Sequence, residues 1–192
     1  MTRADDGLLL DSLRRRMRTM HGLYDQAVGS MGPDEVNHVE RPGVLPIAFS
    51  LFHYTNMEDV SFLFLTGTPT VWDAAWQTKV KMAVDDHGKE RTVEEMVHQR
   101  IGDYEAFSSY QRAVFDRTEA HLQHLDEEEL RRVVVRRPFP PQIASTYSAR
   151  CAGPDGVTVL DGFECWLYQH GLRHMGEIEH ARSLVGLGGM TS

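Results

Sequence analysis

The sequence predicts an all-α chain folded as a four-helix bundle, with a loop excursion between the third and fourth helices. Three observations predict it. Apolar residues recur at helical spacing over four long stretches. Clusters of Pro and Gly separate those stretches. The β-branched run Val133 to Val135 is too short to seed more than a brief extended segment. At 192 residues, 41% apolar and 25% charged, the chain suits one globular domain, read as residues 1–192 with its core between about 8 and 186.

Helix one is expected over 6–28, where Leu9, Leu13, Met17, Met20, Tyr24 and Ala27 keep helical spacing and the arginines at 14–16 turn outward. Residues 29–46 hold Gly32-Pro33, Pro42-Gly43 and Pro46 and are read as a connection with one short turn at 34–37. Helix two covers 47–65 and stops before Gly67 and Pro69. Phe49, His53, Met57, Val60 and Phe64 share one face, while Leu51, Phe52, Phe62 and Leu65 fall on others. A helix this apolar around its girth is covered on several sides, either by other segments of the chain or by a second subunit. A homodimer contact is the expectation here.

Residues 70–82 carry Trp72 and Trp76 one turn apart, read as a short helix across a bundle end, by simple packing or as the wall of a pocket. Helix three opens with the capping box Thr92 to Glu95 and runs to Leu125, roughly 50 Å, with a bend at Gly102. His121 and His124 near its end read as surface residues. Asp126 caps a short acidic turn, and residues 136–156 form the loop excursion. Helix four fills 157–185, and the Gly-rich tail beyond Gly186 stops the helix and is expected to fray.

A net charge of −8 disfavours nucleic acid as a partner, since a basic surface is needed to displace counterions. No stretch is long and apolar enough to span a membrane, and residues 1–16 lack the apolar centre of a secretion signal. Two cysteines, Cys151 and Cys165, form no disulfide framework and suit a reducing cytoplasm.

On helix four, Phe163, Trp166, Leu167, Ile178, Ala181, Leu184 and Val185 make an apolar stripe with His170 and His174 in its middle. Imidazoles four apart project from one face at the reach a single metal ion needs. With ten histidines, one such pair arises by chance about half of the time, so the pair alone is weak. His53, central on an apolar face of helix two, strengthens it, because helices two and four of a bundle can face each other. Three imidazoles suit Zn²⁺, Ni²⁺, Fe²⁺ or Mn²⁺ and leave coordination positions open. Glu177, one turn past His174, is the carboxylate best placed to orient a histidine or act as a base; a surface acid is the plainer alternative. Gly176 is read as the point where a neighbouring helix approaches. Cys165 lies about 140° from His170 on an ideal helix, a poor fourth ligand. Glu58 lies about 140° from His53 and is not assigned to the site.

The elements His170-Gly-Leu-Arg-His174-Met-Gly176-Glu177-Ile178, together with His53 early in helix two, resemble the signature of the DinB-like superfamily over about residues 8–186. The resemblance implies a four-helix bundle, a divalent metal on the positions of His53, His170 and His174, and in many members a homodimer. It also implies kinship with mycothiol-dependent maleylpyruvate isomerase and bacillithiol S-transferases, so that a low-molecular-weight thiol such as mycothiol or bacillithiol is an expected cofactor. The expected activity is transfer, isomerisation or hydrolysis of a small-molecule substrate by an activated thiol or water. The alternative is a non-catalytic stress-response or ligand-binding bundle. Arg131, Arg132, Arg136, Arg137 and Arg173 are the cations available to a carboxylated thiol.

Overall fold

The computed structural model describes residues 6–190; the first five residues of the stretch read above for a secretion signal, and Thr191 and Ser192 of the tail, lie outside them. Four long helices carry the architecture: α1 (Asp6–Gly29), α2 (Ile47–Thr66), α3 (Tyr104–His124) and α4 (Gln169–Leu184). Two short strands, β1 (Val133–Arg136) and β2 (Gly156–Thr158), pair antiparallel across the excursion, Arg136 opposite Gly156. The protein is therefore an all-α bundle with a two-stranded clip. No described helix is long and apolar enough to cross a membrane.

The core runs through all four helices. Leu13, Met17, Met20 and Tyr24 of α1 meet Leu51, Phe52 and Tyr54 of α2, Phe107, Tyr110 and Phe115 of α3, and Ile178 of α4. Each large apolar side chain removed from water contributes roughly 2 kcal/mol. At the start of α1, Leu10 rather than Leu9 joins the core; Leu9 is exposed. The arginines of α1 do more than face solvent. Arg14 donates to the carbonyls of Leu122, Gln123 and Leu125, satisfying the open end of α3, and Arg16 forks onto Glu164 at 2.6 and 3.1 Å.

The chain itself covers most of α2. Its buried face holds Leu51, Phe52, Tyr54, Phe62 and Leu65 together with Glu58 and Asp59. The buried acids are paired, as burial requires. Asp59 accepts from the backbone N–H groups of Val71 and Trp72, both at 2.8 Å, and pairs with Arg117 at 2.7 Å. Glu58 accepts from Tyr54 Oη at 2.5 Å, Thr118 Oγ1 at 2.7 Å and His21 Nε2 at 3.2 Å. His21 also donates from Nδ1 to Glu119 at 2.8 Å and stacks on Phe115. Burial alone would lower the His21 pKa, but Glu58 and Glu119 together push it up to about 9.

Three expected features are corrected. The predicted helix over 92–125 is two helices, Val93–Met96 and α3, separated by a backbone turn. Ile101 bridges to Met82 and exchanges two hydrogen bonds with the Asn37 side chain. Gly102 rests against Lys81 so closely that a Cβ would lie 2.6 Å from the Lys81 carbonyl, and Asp103 then caps α3. The apolar stripe runs through this break because both parts pack on the same core.

Helix four begins at Val159 rather than Val157, since residues 156–158 belong to β2. An α turn, Val159–Gly162, leads into a π-helical turn, Phe163–Tyr168, before α4. The tail is also held: Arg182 donates to the Gly188 carbonyl and Met190 N–H donates to Glu179.

The third correction concerns glycine. Gly176 is exposed with nothing within 4 Å of a Cβ built on it, whereas Gly171 is buried and its Cβ would meet the Tyr54 ring at 2.7 Å. The close approach of α2 and α4 is therefore at Gly171, whose carbonyl also accepts from Tyr24 Oη.

Candidate metal centre

Helices α2 and α4 pack against each other with His53 facing His170 and His174. One ligand atom from each of the three lies within 4.8 Å of the others. Ring centroids are 4.7 Å apart for His53 and His174, and 4.6 Å for His170 and His174. Glu58, one turn along α2, points the other way into the His21 network.

Each ring is held by the nitrogen that faces away from the cluster. His53 Nδ1 donates to the His87 carbonyl. His174 Nδ1 donates to Glu177 Oε2 at 2.7 Å, and Ser50 Oγ donates to the same oxygen at 3.1 Å. The Trp166 carbonyl acts as an acceptor toward the His170 ring. The loop behind His53 is itself braced: Asp86 accepts from the Gly88 N–H at 2.8 Å and from the Arg91 guanidinium at 2.6 and 2.8 Å.

These bonds fix the tautomers. With the Nδ1 of His174 and the far side of His170 committed outward, their Nε2 lone pairs face each other at 2.9 Å. Two imidazoles 2.0–2.1 Å from one ion sit roughly 3.0–3.3 Å apart. Lone pairs converging in a partly buried place are stabilised by a cation and by little else, so the donor set fits a divalent metal. Burial, with His174 next, pushes the His53 pKa down to about 4 and the His170 pKa down to about 3, which keeps both rings in the neutral, ligating form. The bond from His174 holds the Glu177 carboxyl below its usual range.

A cavity of about 690 Å³ opens on His170. Met57, Val60 and Phe64, from the α2 face that carries His53, form one wall; Trp166 and Cys165 form another. That face of α2 is therefore a half-covered pocket wall rather than core. Cys165 reaches the same cavity as His170 because a π turn closes over five residues rather than four, rotating it toward His170 relative to an ideal α-helix. Neither Trp72 nor Trp76 lines the cavity; both pack on Tyr110.

Of the five arginines considered for an anion, Arg173 alone lines this cavity. Arg131 and Arg132 pair with Glu127 and Glu129, and Arg137 donates to the carbonyls of Ala152 and Gly153. Arg173 is exposed and makes no hydrogen bond or ion pair among the described residues. His121 is half-buried between Phe62 and Phe163, and His124 is exposed. No local sequence pattern marks the His87 carbonyl or the cavity, since both depend on how a polar loop folds back over α2.

Comparison with known proteins agrees with this layout. The profile of the DinB superfamily matches residues 16–178. The crystal structure of a conserved protein from Enterococcus faecalis superposes with a TM-score of 0.72 at 18% identity, over 91% of this chain and 95% of that one. At that identity the likeness is one of fold. No curated protein matches the chain.

Proposed function

Because the chain belongs to the DinB superfamily, we propose that His53, His170 and His174 hold one divalent ion (Zn²⁺, Ni²⁺, Fe²⁺ or Mn²⁺). We propose further that the protein is an enzyme acting on a small molecule through an activated low-molecular-weight thiol or water. The reaction is a transfer, an isomerisation or a hydrolysis. The observation that carries this reading is the cavity of about 690 Å³ that opens on His170; a merely structural site would be closed over by side chains.

When bound, such an ion supplies a Lewis acid that lowers the pKa of a thiol or water and polarises a carbonyl. The residues of the chain do the rest. The His87 carbonyl and Glu177 keep the rings in one tautomer and one orientation. Glu177 takes the orienting role in this reading, since the residues lining the cavity do not include it. Met57, Val60, Phe64 and Trp166 exclude water from the reacting end, and Arg173 receives an anionic group of the thiol or substrate at the rim. The cytoplasm, where such thiols are kept reduced, remains the expected place of action. A second copy of the chain is proposed to cover Leu63 and Phe64, which are 38% and 71% exposed; sedimentation at several concentrations reads this directly.

The test is metal analysis of the purified protein, beside His53→Ala and His170→Ala. The expected result is about one divalent ion per wild-type chain and almost none in either variant, with helical circular dichroism retained. Full occupancy in both variants, or a wild type that takes none of the four metals, sinks the site. For the thiol, cobalt-substituted protein should gain a sulfur-to-metal charge-transfer band on thiol addition. An unchanged spectrum leaves the site standing and removes the thiol.

A further inference from the structure

The two cysteines take no part in the histidine cluster, yet the fold brings them together. Cys151 ends the short helix Tyr147–Cys151 and is exposed; Cys165 lies in the π turn and is buried. Both line a second cavity of about 530 Å³, together with Tyr147 and Tyr168. Within it the two thiols and the Tyr147 hydroxyl lie close enough to perturb one another's titration. Tyr147 and Cys165 line the cavity that opens on His170 as well. An exposed thiol beside a sheltered one, the sheltered one on the wall that two cavities share, is the arrangement of a peroxidatic and a resolving cysteine.

We infer that Cys151 and Cys165 form a site of reversible oxidation, closing to an intramolecular disulfide when the protein meets a hydroperoxide. The Cys151 thiolate attacks the terminal oxygen of ROOH. An S–O bond forms, the O–O bond breaks, and the departing alkoxide takes a proton to leave as ROH. Cys151 is then a sulfenic acid, oxidised by two electrons. The Cys165 sulfur attacks the Cys151 sulfur; the S–S bond forms, the S–O bond breaks, and hydroxide leaves as water with the Cys165 proton. Two thiols and one hydroperoxide thus give one disulfide, one alcohol and one water.

The order of events follows from the environments. Cys151 meets solvent, whereas burial, with the neighbouring Cys151 next, pushes the Cys165 thiol up to about 12. The disulfide ties the Tyr147–Cys151 helix to the π turn, fixing two segments that wall the cavity beside His170.

The experiment treats purified protein with a few equivalents of hydrogen peroxide, blocks free thiols, digests the chain and reads the peptides by mass. The expected result is one peptide pair linked through Cys151 and Cys165 within a single chain, lost on adding dithiothreitol. In Cys165→Ser, Cys151 should be trapped by dimedone; in Cys151→Ser, Cys165 should remain a thiol at the same dose. Circular dichroism checks that both variants keep their helices. Wild-type protein with both thiols free, with Cys151 carried on to sulfinic acid while Cys165 stays free, or with Cys151 joined only to a second chain overturns the proposal. Metal content plays no part in this readout, so its failure is separate from any failure of the histidine site.

Discussion

His170 and His174 face each other through Nε2 atoms 2.9 Å apart, while the opposite nitrogen of His174 is committed to Glu177 at 2.7 Å. The carboxylate therefore selects the tautomer that aims a lone pair at His170. Ser50, from α2, holds the same carboxylate oxygen and joins the two helices behind the cluster. Glu177→Gln keeps the shape and weakens the charge-assisted bond, so metal affinity should fall about 10–100-fold while the fold persists. Competition with a chromophoric chelator measures it. An affinity equal to the wild type would show that Glu177 is only a surface acid.

His21 gives a pH dependence remote from the histidine cluster. It is fully buried, both its nitrogens face carboxylates, and its pKa is raised to about 9 in the folded chain, against an ordinary value of 6.5. The imidazolium contribution is thus complete below pH 6.5 and is lost as the pH rises through about 9. Across that window, stability to urea should fall by on the order of 3 kcal/mol. In His21→Gln the alkaline fall should flatten, at a cost in stability at neutral pH because Glu58 loses a cationic partner. A wild-type curve level from pH 6 to pH 10 would contradict the charged network.

Much of this was legible in the chain, and the parts that were not share a cause. His53, His170 and His174 sit on helices whose phase the apolar pattern fixes, so their convergence could be anticipated. The π turn could not, because a helical wheel assumes one rotation per residue; the turn brings Cys165 to the cavity wall, although it stays outside the histidine cluster. The break at Gly102 is set by Asn37, Lys81 and Met82, which the local pattern does not contain. His21 did leave a signal: it lies one turn from Met17, on the inward side of α1. Likewise Glu58, on a helix apolar around its girth, had to find donors once buried. What paired with what depended on tertiary geometry.

The glycines of α4 separate close approach from open surface. Gly171→Ala places a methyl group against Met20 and the Tyr54 ring, where the nearest ring carbon is 2.7 Å away. Overpacking of this kind should cost roughly 1–3 kcal/mol, and the push against α2 should also weaken metal binding. Gly176→Ala meets nothing within 4 Å and should stabilise the helix by roughly 0.5–1 kcal/mol. Urea denaturation of the pair decides it, and equal effects would remove the assigned contact between α2 and α4.

Arg173 supplies a test of what enters the cavity. It is the exposed guanidinium on the wall shared with His170, and its charge contributes to the lowered pKa of that ring. An exposed ion pair is worth up to about 1 kcal/mol, which corresponds to roughly fivefold in affinity. Arg173→Ala in the metal-loaded protein should therefore weaken a carboxylated thiol about fivefold and leave an uncharged thiol of similar size unaffected. The difference should shrink as ionic strength rises, because the charge lies at the rim. Titration calorimetry with the two thiols at low and high salt reads both effects. Equal losses for the two thiols would mean that Arg173 acts by shape, and no loss for either would remove it from the site.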